Sequence, residues 1–522
     1  MFWSNPVWPG SCTISHRRNR MSDFGRKNNE SGTNVYAVIR APRATGVEAI
    51  LFAVDLSQRE AIALVMAYAV YARQQIYWAR DLFFVFVDGG ATGMDAWLSQ
   101  YHLVRHSALY ADPLLEMGGV IIGGVVMKTD AMKASGNPYV LLEVNNINGQ
   151  LPNLDLFNSV VRIAGKGVFA LDPVVYGVYD KDMNGEDWYM LVPLRAMYTQ
   201  AFVAIEGVHS VMGKYGVQAI TVTVPSLANY SLRKSTRMLE AIARSLNNVL
   251  ERFHQSYFLY ILVSPDHFVS IAYFMPILGG VLLPLLIFVC FLCSCYVEFV
   301  FDAYREWINL NSFVLPRPLF VIHFIGVFTW WLCKTYFVVF TENAQADIIY
   351  LAFSLLMPWG LVIPLSDTEI RSLRFLLLLE CSLACAAVAL LNFSLALSFA
   401  IVVTPLLIKF TEDSKNRSHA VLRTALALAS HPVGIYTLFM VYVHPFLMGH
   451  RKPFVLKPQT YLNVLFQLLK EHLIYGSHLL PLMLTLVMPI WNLILLLAIV
   501  TTKNIERKES EKEQQLSERE LN

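Results

Sequence analysis

The chain has 522 residues, of which 55% are apolar and only 15% charged, and its mean hydropathy is +0.46. This composition excludes a string of ordinary soluble domains and places much of the chain in lipid. Because the 41 basic residues nearly balance the 39 acidic ones, the positive field of a nucleic-acid binder is missing, and nucleic acid is excluded as a partner.

The first half of the sequence divides into a short irregular segment and an α/β domain. Residues 1–33 show no apolar periodicity and are predicted to be a disordered or alternative N-terminus. Over 34–230, short apolar runs such as EAILFAVDL and DLFFVFVD alternate with helical patterns, which indicates a mostly parallel sheet covered by helices. Residues 231–264 then predict one amphipathic helix that connects this domain to the membrane.

The second half is predicted to be an all-α transmembrane domain of about seven helices over 265–502, followed by a charged tail at 503–522. The apolar run 375–410 is divided at Asn392, because a single helix of that length would measure ~54 Å. The expected spans are 269–297, 318–340, 346–365, 375–391, 393–409, 421–446 and 477–501.

Loop charges predict the orientation of these spans. If the α/β domain is lumenal, most basic loop residues and the tail fall on the cytosolic side, as the positive-inside rule requires. The amphipathic stretch TYLNVLFQLLKEHLIYG, 460–476, then falls on the lumenal side and predicts a helix in the membrane interface. Two glycosylation sequons, at Asn29 and Asn229, are also expected to be lumenal.

Polar residues at predicted strand ends are the candidates for chemistry, because α/β sheets place their ligand groups there. They are Asp55, Asp88, Lys128 and His209. Acids at strand ends followed by a late histidine resemble the M28 family of two-zinc aminopeptidases, in which a glutamate acts as general base. Here Val87 stands at the position that this resemblance gives to the base.

The sequence therefore predicts no catalytic residue and no cofactor. Two alternatives stay open: a vestigial or single-ion site at Asp55, Asp88 and His209, and a Lys128 ammonium that replaces the charge of a metal ion. Residues such as Asp88 and His209 are more often ordinary capping or hydrogen-bonded polar groups. The alternative function is a membrane-bound M28-type metallopeptidase, or a peptide-bond-forming enzyme, with a reduced metal site.

Longer blocks carry a more specific resemblance. In chain order they are NVYAVIRAPRA, QQIYWARDLFF, GMDAWLSQYH, INGQLPNLDLFN and LNNVLERFHQSYFLYIL. They resemble the glycosylphosphatidylinositol (GPI) anchor attachment proteins, the GAA subunit family of the GPI transamidase. The resemblance implies a multi-pass, non-catalytic subunit of the endoplasmic reticulum membrane, with an M28-like lumenal domain and a cytosolic C-terminus, that binds and presents the GPI lipid.

The implied partners are a caspase-like catalytic subunit, the other transamidase subunits, the GPI lipid and precursor proteins with a C-terminal GPI signal. Members of this family begin with an N-terminal span and further lumenal residues, whereas this sequence has residues 1–33 before the NVYAVIR block. The resemblance thus leads us to expect a sheet that is truncated at its N-terminus.

The resemblance also implies that a proline in the last span helps to hold the lipid, and the matching residue is Pro489. Proline kinks a span and removes a backbone donor, while Trp491 and Asn492 add polar groups where polarity is costly. The alternative is a packing kink in which Asn492 bonds to a neighbouring helix. Among the other ionisable residues of the spans, Glu380 is the one expected to meet a cationic group. A transporter is disfavoured, because no internal repeat is visible.

Overall fold

The chain forms two compact units. One comprises Met1–Ile271 together with Lys470–Ser477, and the other comprises Ala272–Leu469 together with His478–Asn522. The first unit is an α/β domain and the second is helical, so the predicted fold class is confirmed. The computed structural model describes residues 10–16, 31–42, 46–106, 109–130, 138–178, 188–203, 205–226, 230–249, 258–305, 316–339, 365, 367–411, 417–439 and 468–521.

A mixed sheet forms the centre of the α/β unit. Within the described residues its strand order is β5-β1-β2-β4-β3-β6-β9-β7-β8. The four central strands, β4, β3, β6 and β9, are parallel, while the flanking β2 and β7 run antiparallel to them. The strands are β1 Gly10–His16, β2 Ser31–Ile39, β3 Glu48–Asp55, β4 Asp81–Val87, β5 Leu109–Ala111, β6 Val120–Asp130, β7 Tyr139–Glu143, β8 Asp172–Val175 and β9 Ala219–Pro225.

Helices cover both faces of this sheet, which explains why its central strands are continuously apolar. On one face of β3, Leu51 joins the core cluster that contains helix α2, Gly90–Tyr101. On the opposite face, Phe52 packs against Tyr68 of helix α1, Arg59–Arg73. The helices are α1 Arg59–Arg73, α2 Gly90–Tyr101, α3 Leu154–Ala164, α4 Trp188–Phe202 and α5 Leu232–Asn247. A 3₁₀ helix, Val208–Tyr215, precedes β9.

Strand β1, which lies between the edge strand β5 and β2, corrects the prediction for the N-terminus. Disorder was expected over 1–33, yet Gly10–His16 pairs antiparallel with both β2 and β5. Backbone hydrogen bonds between strands do not require an apolar period, so the sequence pattern could not reveal this strand. The expectation of disorder is therefore wrong for residues 10–16 and 31–33, while the other reading, an alternative N-terminus, stays a prediction.

The predicted connecting helix over 231–264 is also wrong in its extent. Helix α5 ends at Asn247, and the chain returns as a short antiparallel ribbon of β10 Tyr260–Leu262 and β11 Phe268–Ser270. The apolar stripe of α5, with Met238 and Ile242 fully buried, packs against α1 and α3. The stripe thus covers the sheet, and the helix is part of the α/β unit.

The second unit consists of helices, which are listed here in chain order: α6 Ile271–Arg305, α7 Arg317–Val339, α8 Asp367–Leu391, α9 Phe393–Thr411, α10 Arg417–Ala429, α11 Pro432–Leu438, α12 Leu479–Leu482 and α13 Met488–Leu521. A π-helical turn, Met483–Val487, joins α12 to α13. Among the described residues, four helices are long and apolar enough to cross a membrane, namely Ile271–Cys290, Ser372–Leu391, Phe393–Phe410 and Leu479–Glu511, while Arg317–Leu332 is shorter.

The predicted division at Asn392 is confirmed. Helix α8 ends one residue before it and α9 begins one residue after it, and the Asn392 side-chain oxygen accepts a hydrogen bond from the backbone N–H of Leu395 at 3.0 Å. This is the role of an N-cap residue. Residues 346–364 of the third expected span lie outside the described residues, so the total of seven spans stays a prediction.

Candidate functional site

The structure places the two predicted acids at the carboxyl ends of neighbouring strands. Asp55 ends β3, and its carboxylate accepts a hydrogen bond from the backbone N–H of Ser57 at 2.8 Å. Asp88 follows β4, and its carboxylate accepts one from the backbone N–H of Thr33 at 3.1 Å. Val87 is fully buried in the core cluster and offers no group that could act as a base. Asp55 is therefore bound within the turn that follows its own strand, and Asp88 is bound by the backbone of β2.

His209 lies in a different group, together with Lys128 and Glu143. The Lys128 ammonium donates to the Glu143 carboxylate at 2.6 Å. A Cβ added at Gly207 would lie 3.3 Å from both Lys128 Nζ and His209 Nδ1, and 3.1 Å from Glu143 Oε2. We call Lys128, Glu143, Glu206 and His209 the strand-end cluster, because β6 and β7 supply its first two members.

Burial controls the ionisation of this cluster. Burial, together with the nearby charge of Lys128, lowers the pKa of His209 to about 3, so its imidazole is neutral. His209 Nδ1 lies 2.7 Å from the Thr221 hydroxyl, and its Nε2 is buried with no hydrogen-bond partner among the described residues. Burial and the negative charge of Glu143 raise the pKa of Glu206 to about 8. The cluster therefore holds one ion pair and two neutral groups at neutral pH.

Sequence reasoning missed both glutamates of this cluster. Glu143 ends a strand, but β7 runs antiparallel to β9, so the rule for the carboxyl ends of parallel strands, which found Asp55, does not select it. Glu206 lies in the loop before the 3₁₀ helix, where no periodic pattern marks it. Its carboxylate accepts from the backbone N–H of Asn145 at 3.3 Å, a contact between distant parts of the chain that sequence alone does not give.

Replacing Glu206 with glutamine should remove a pH dependence of stability. An acid whose pKa is about 8 when folded and near 4.5 when unfolded loses stability as the pH rises between those values. His209 has the opposite effect, but only below about 6.5. From pH 6.5 to 8 we therefore expect wild-type stability to fall by up to about 1.4 kcal/mol per pH unit.

Hydrogen exchange of the β7 and β9 amides at pH 6.5 and pH 8 measures this effect once intrinsic exchange rates are corrected. Protection should fall with pH in the wild type and stay level in Glu206→Gln. Equal slopes in the two proteins would contradict the assigned pKa.

The strand-end residues do not fit a co-catalytic metal centre. Within the described ranges, no group of three or more His, Cys, Asp or Glu side chains is placed to hold a metal ion. The Glu143 carboxylate of the same cluster is already bound by the Lys128 ammonium. Two divalent ions require several anionic and imidazole ligands to offset their desolvation, and this donor set does not supply them.

The predicted lipid residues lie in the last span, around the π-helical turn. Pro489 follows this turn and has no N–H. The Thr485 carbonyl, which would accept from residue 489 in a regular α-helix, therefore lacks that donor. Gly326 of α7 approaches closely: a Cβ there would lie 2.4 Å from the Leu484 carbonyl oxygen and 3.1 Å from the Pro489 ring. The glycine thus permits close packing of α7 on an irregular, polar stretch of backbone.

Trp491 and Asn492 are buried within the helical unit. Trp491 Nε1 donates to the Ala427 carbonyl at 2.8 Å, and its ring meets His431 edge to face at 4.4 Å. Asn492 is fully buried and donates to the Met488 carbonyl at 2.8 Å. Both side chains therefore fix the shape and position of the last span, and Trp491 joins it to α10.

Glu380 meets an ionisable partner, a histidine that is cationic only when protonated. Its carboxylate lies 2.7 Å from His323 Nε2 of α7, and both side chains are about three-quarters buried, with 24% and 28% exposed. His323 is one helical turn from Gly326, so this polar pair and the π-helical turn contact neighbouring parts of α7. Asn29 and Asn229, the predicted glycosylation sites, lie outside the described residues.

Comparisons with known proteins add a family assignment to this geometry. Residues 31–495 match the family described as Gaa1-like, GPI transamidase component. The chain is 26% identical over 452 residues to GPI transamidase component gaa1 of Schizosaccharomyces pombe, covering 83% of this chain and 72% of that protein. It is 24% identical over 433 residues to GPI transamidase component GAA1 of Saccharomyces cerevisiae, covering 79% of this chain and 67% of that protein.

Solved structures give a weaker similarity. Futalosine hydrolase of Helicobacter pylori covers 38% of this chain and 99% of its own, with 10% sequence identity and a TM-score of 0.25. The Helicobacter pylori MTAN structure covers 37% of this chain with a TM-score of 0.24.

Proposed function

Because this chain belongs to the Gaa1-like family of GPI transamidase components, we propose that it acts as a non-catalytic subunit that binds the GPI lipid and presents it for attachment. The partners proposed for it are a caspase-like catalytic subunit, other transamidase subunits and precursor proteins with a C-terminal GPI signal. The carrying observation is the irregular last span, where the π-helical turn, Pro489 and Gly326 meet. We propose no metal or cofactor for the α/β domain.

Backbone polarity in the last span supports a lipid site there. A carbonyl without its helical donor is costly in hydrocarbon, and such groups persist where a partner or a cavity satisfies them. A GPI lipid carries glycan hydroxyls and an amine, which are the donors that such a carbonyl accepts. Thr485, four residues before Pro489, carries this carbonyl and lies six residues after Leu479, or ~9 Å along the helix, which is the depth of the headgroup boundary if the span begins at the lumenal surface.

The strand-end cluster supports the non-catalytic part of the proposal. A hydrolytic metal site needs a carboxylate base beside an activated water, whereas here Val87 is a core residue and Lys128 neutralises Glu143. Purified complex whose caspase-like subunit is inactivated should therefore show no zinc-dependent turnover of peptide libraries. Metal-dependent cleavage that disappears in His209→Ala would contradict this and favour the metallopeptidase alternative.

The orientation proposed for this subunit places the α/β domain in the lumen and the C-terminus in the cytosol. An odd number of crossings, as in the seven predicted spans, puts the domain and the tail on opposite sides. A tag placed after Asn522 should thus be digested by protease added to intact microsomes, while the α/β domain is protected. A protected tag would mean that the number of crossings is even.

A further inference from the structure

A short segment between the predicted spans folds with the α/β domain. Residues 470–477 belong to the first compact unit, although the sequence around them belongs to the second. Ile474 is 3% exposed and Tyr475 is 8% exposed, and both lie in the core cluster with residues of the sheet and α2. Side chains that complete a domain's core are part of that domain. We call residues 470–477 the docked segment.

Polar contacts hold the docked segment at defined atoms. The Tyr475 hydroxyl lies 2.7 Å from the Thr92 hydroxyl of α2. The Ile474 carbonyl oxygen lies 2.9 Å from His106 Nε2 and accepts from the Lys214 ammonium at 3.5 Å. The segment is therefore fixed by specific directional contacts as well as by apolar packing.

A buried carboxylate organises these donors. Asp95 of α2 is fully buried, and its carboxylate accepts from the Lys214 ammonium at 3.0 Å and from the Tyr215 hydroxyl at 2.5 Å, and it lies 3.3 Å from His106 Nε2. Burial by itself raises the pKa of Asp95, but the contacts with His106, Lys214 and Tyr215 together hold that pKa below its ordinary value. An ionised, buried Asp95 thus aligns the two side chains that contact Ile474.

The docked segment leads directly into the last span. Residues 468–475 are helical, and Gly476, with a φ of +78°, ends this helix in the left-handed region that favours glycine. The Gly476 N–H donates to the His472 carbonyl at 3.2 Å, which closes the helix end. Helix α12 begins at Leu479, two residues after Ser477. His478 alone therefore separates the docked segment from the start of α12 in the chain.

We propose that Asp95, His106 and Lys214 form a seat that positions the last span for the lipid. The seat holds the docked segment on the α/β domain, and through it the start of the helix that carries Pro489. This inference rests on the proposed lipid role of that helix. Because coupling between two sites is reciprocal, lipid binding at the last span should also stabilise the docked segment on its seat.

A purely structural role for the segment makes a different prediction. If it only completes the domain core, its release would alter domain stability and leave lipid binding unchanged. The test therefore needs separate readouts of docking and lipid binding in the full chain within its complex. Docking is measured as the modification of a thiol introduced by Ile474→Cys with a membrane-impermeant maleimide, and lipid binding as photo-labelling of the last span by a GPI analogue.

Four variants separate the contributions. Asp95→Asn removes the charge of the seat, and Tyr475→Ala removes the side chain that packs the docked segment into the core cluster. Tyr475→Phe loses only the hydroxyl contact with Thr92. Tyr110→Ala is the matched control, because this tyrosine on β5 is 53% exposed and lies outside the seat.

We expect the thiol at position 474 to be protected from the maleimide when Asp95, His106 and Lys214 are unchanged. The same thiol should react when Asp95→Asn is added. At equal recovery of the complex, photo-labelling should fall about fivefold or more in Asp95→Asn and Tyr475→Ala, the lower end of typical coupling between sites. It should fall less in Tyr475→Phe and not at all in Tyr110→Ala. If Asp95→Asn makes the α/β domain protease-sensitive, Tyr475→Ala decides the result.

Three outcomes would count against these ideas in different ways. Full labelling with a released segment overturns the inference and leaves the lipid role in place. A thiol at position 474 that reacts although Asp95, His106 and Lys214 are unchanged would show that the segment is not docked. Failure to label the wild-type last span contradicts the proposed lipid role, and with it the coupling that depends on this role.

Discussion

Replacing Pro489 by leucine should reduce photo-labelling of the last span by a GPI analogue about tenfold, which corresponds to ~1.4 kcal/mol of binding. Leucine restores the N–H that proline lacks, so the helix can satisfy the open carbonyl internally. The missing donor then no longer favours the π-helical turn Met483–Val487, and this stretch should become a regular α-helix. The contact of the proline ring with α7 at Gly326 is also lost.

The control for this substitution is Pro405→Leu, which makes the same change inside α9. Both variants should assemble with the other subunits, and only Pro489→Leu should lower the anchoring of reporter proteins at the cell surface. Trp491→Ala should act in the same direction but more weakly, because it removes one contact with α10 and keeps the turn. Equal loss in both proline variants would indicate a general folding defect.

Replacing Gly326 by valine should have the largest effect on assembly of the helical unit. Any Cβ at this position would lie 2.4 Å from the Leu484 carbonyl oxygen, a distance that real side chains do not tolerate. The α7 helix and the last span must then separate, with a cost of ~1–3 kcal/mol or more for overpacking. Because membrane helices associate through close packing of small residues, this separation should open the lipid site and weaken recovery of the complex.

Gly279→Ala in α6 provides the matched control, since nothing lies within 4 Å of a Cβ placed there. Alanine is the better helix former by about 1 kcal/mol, so this variant should be neutral or slightly stabilising. Recovery of the complex from detergent extracts measures both variants. Normal recovery and labelling of Gly326→Val would show that α7 does not pack on the turn as described.

The alternation of strands with helices along the chain was predictable, whereas the pairing of strands near the sheet edge was not. Runs such as EAILFAVDL are buried on both faces in β3, and this gives a strong apolar signal. Strand β1 pairs beside the edge strand β5, with little apolar signal in its sequence. For the same reason the strand ends at Asp55 and Asp88 were correctly located, but their partners were not.

An amphipathic pattern identifies a helix without identifying what its apolar face contacts. The stretch 460–476 was predicted to lie in the membrane interface, but Ile474 and Tyr475 pack into the α/β domain, so that prediction is wrong for residues 470–476. The same ambiguity affected α5, whose stripe covers the sheet. Lipid and protein core both accept leucine, isoleucine and tyrosine, so the distinction requires tertiary structure.

The strand-end cluster and the seat show a second limit of sequence reasoning. Glu206 and Asp95 are both buried carboxylates, yet Glu206 is neutral near pH 7 and Asp95 is ionised. The difference arises from neighbours distant in sequence: Glu143 faces Glu206, while Lys214 and Tyr215 contact Asp95. Motif spacing within the GMDAWLSQYH block could not supply those neighbours.

Mapping the site of photo-labelling by a GPI analogue in the intact, unaltered complex tests the central claim most directly. Mass spectrometry of the labelled chain should place the modified residues in the last span, within a few residues of the turn at 483–489 and of the facing part of α7 around Gly326. Labelling of this chain only in other helices, or only of other subunits, would contradict a role for the last span in holding the lipid.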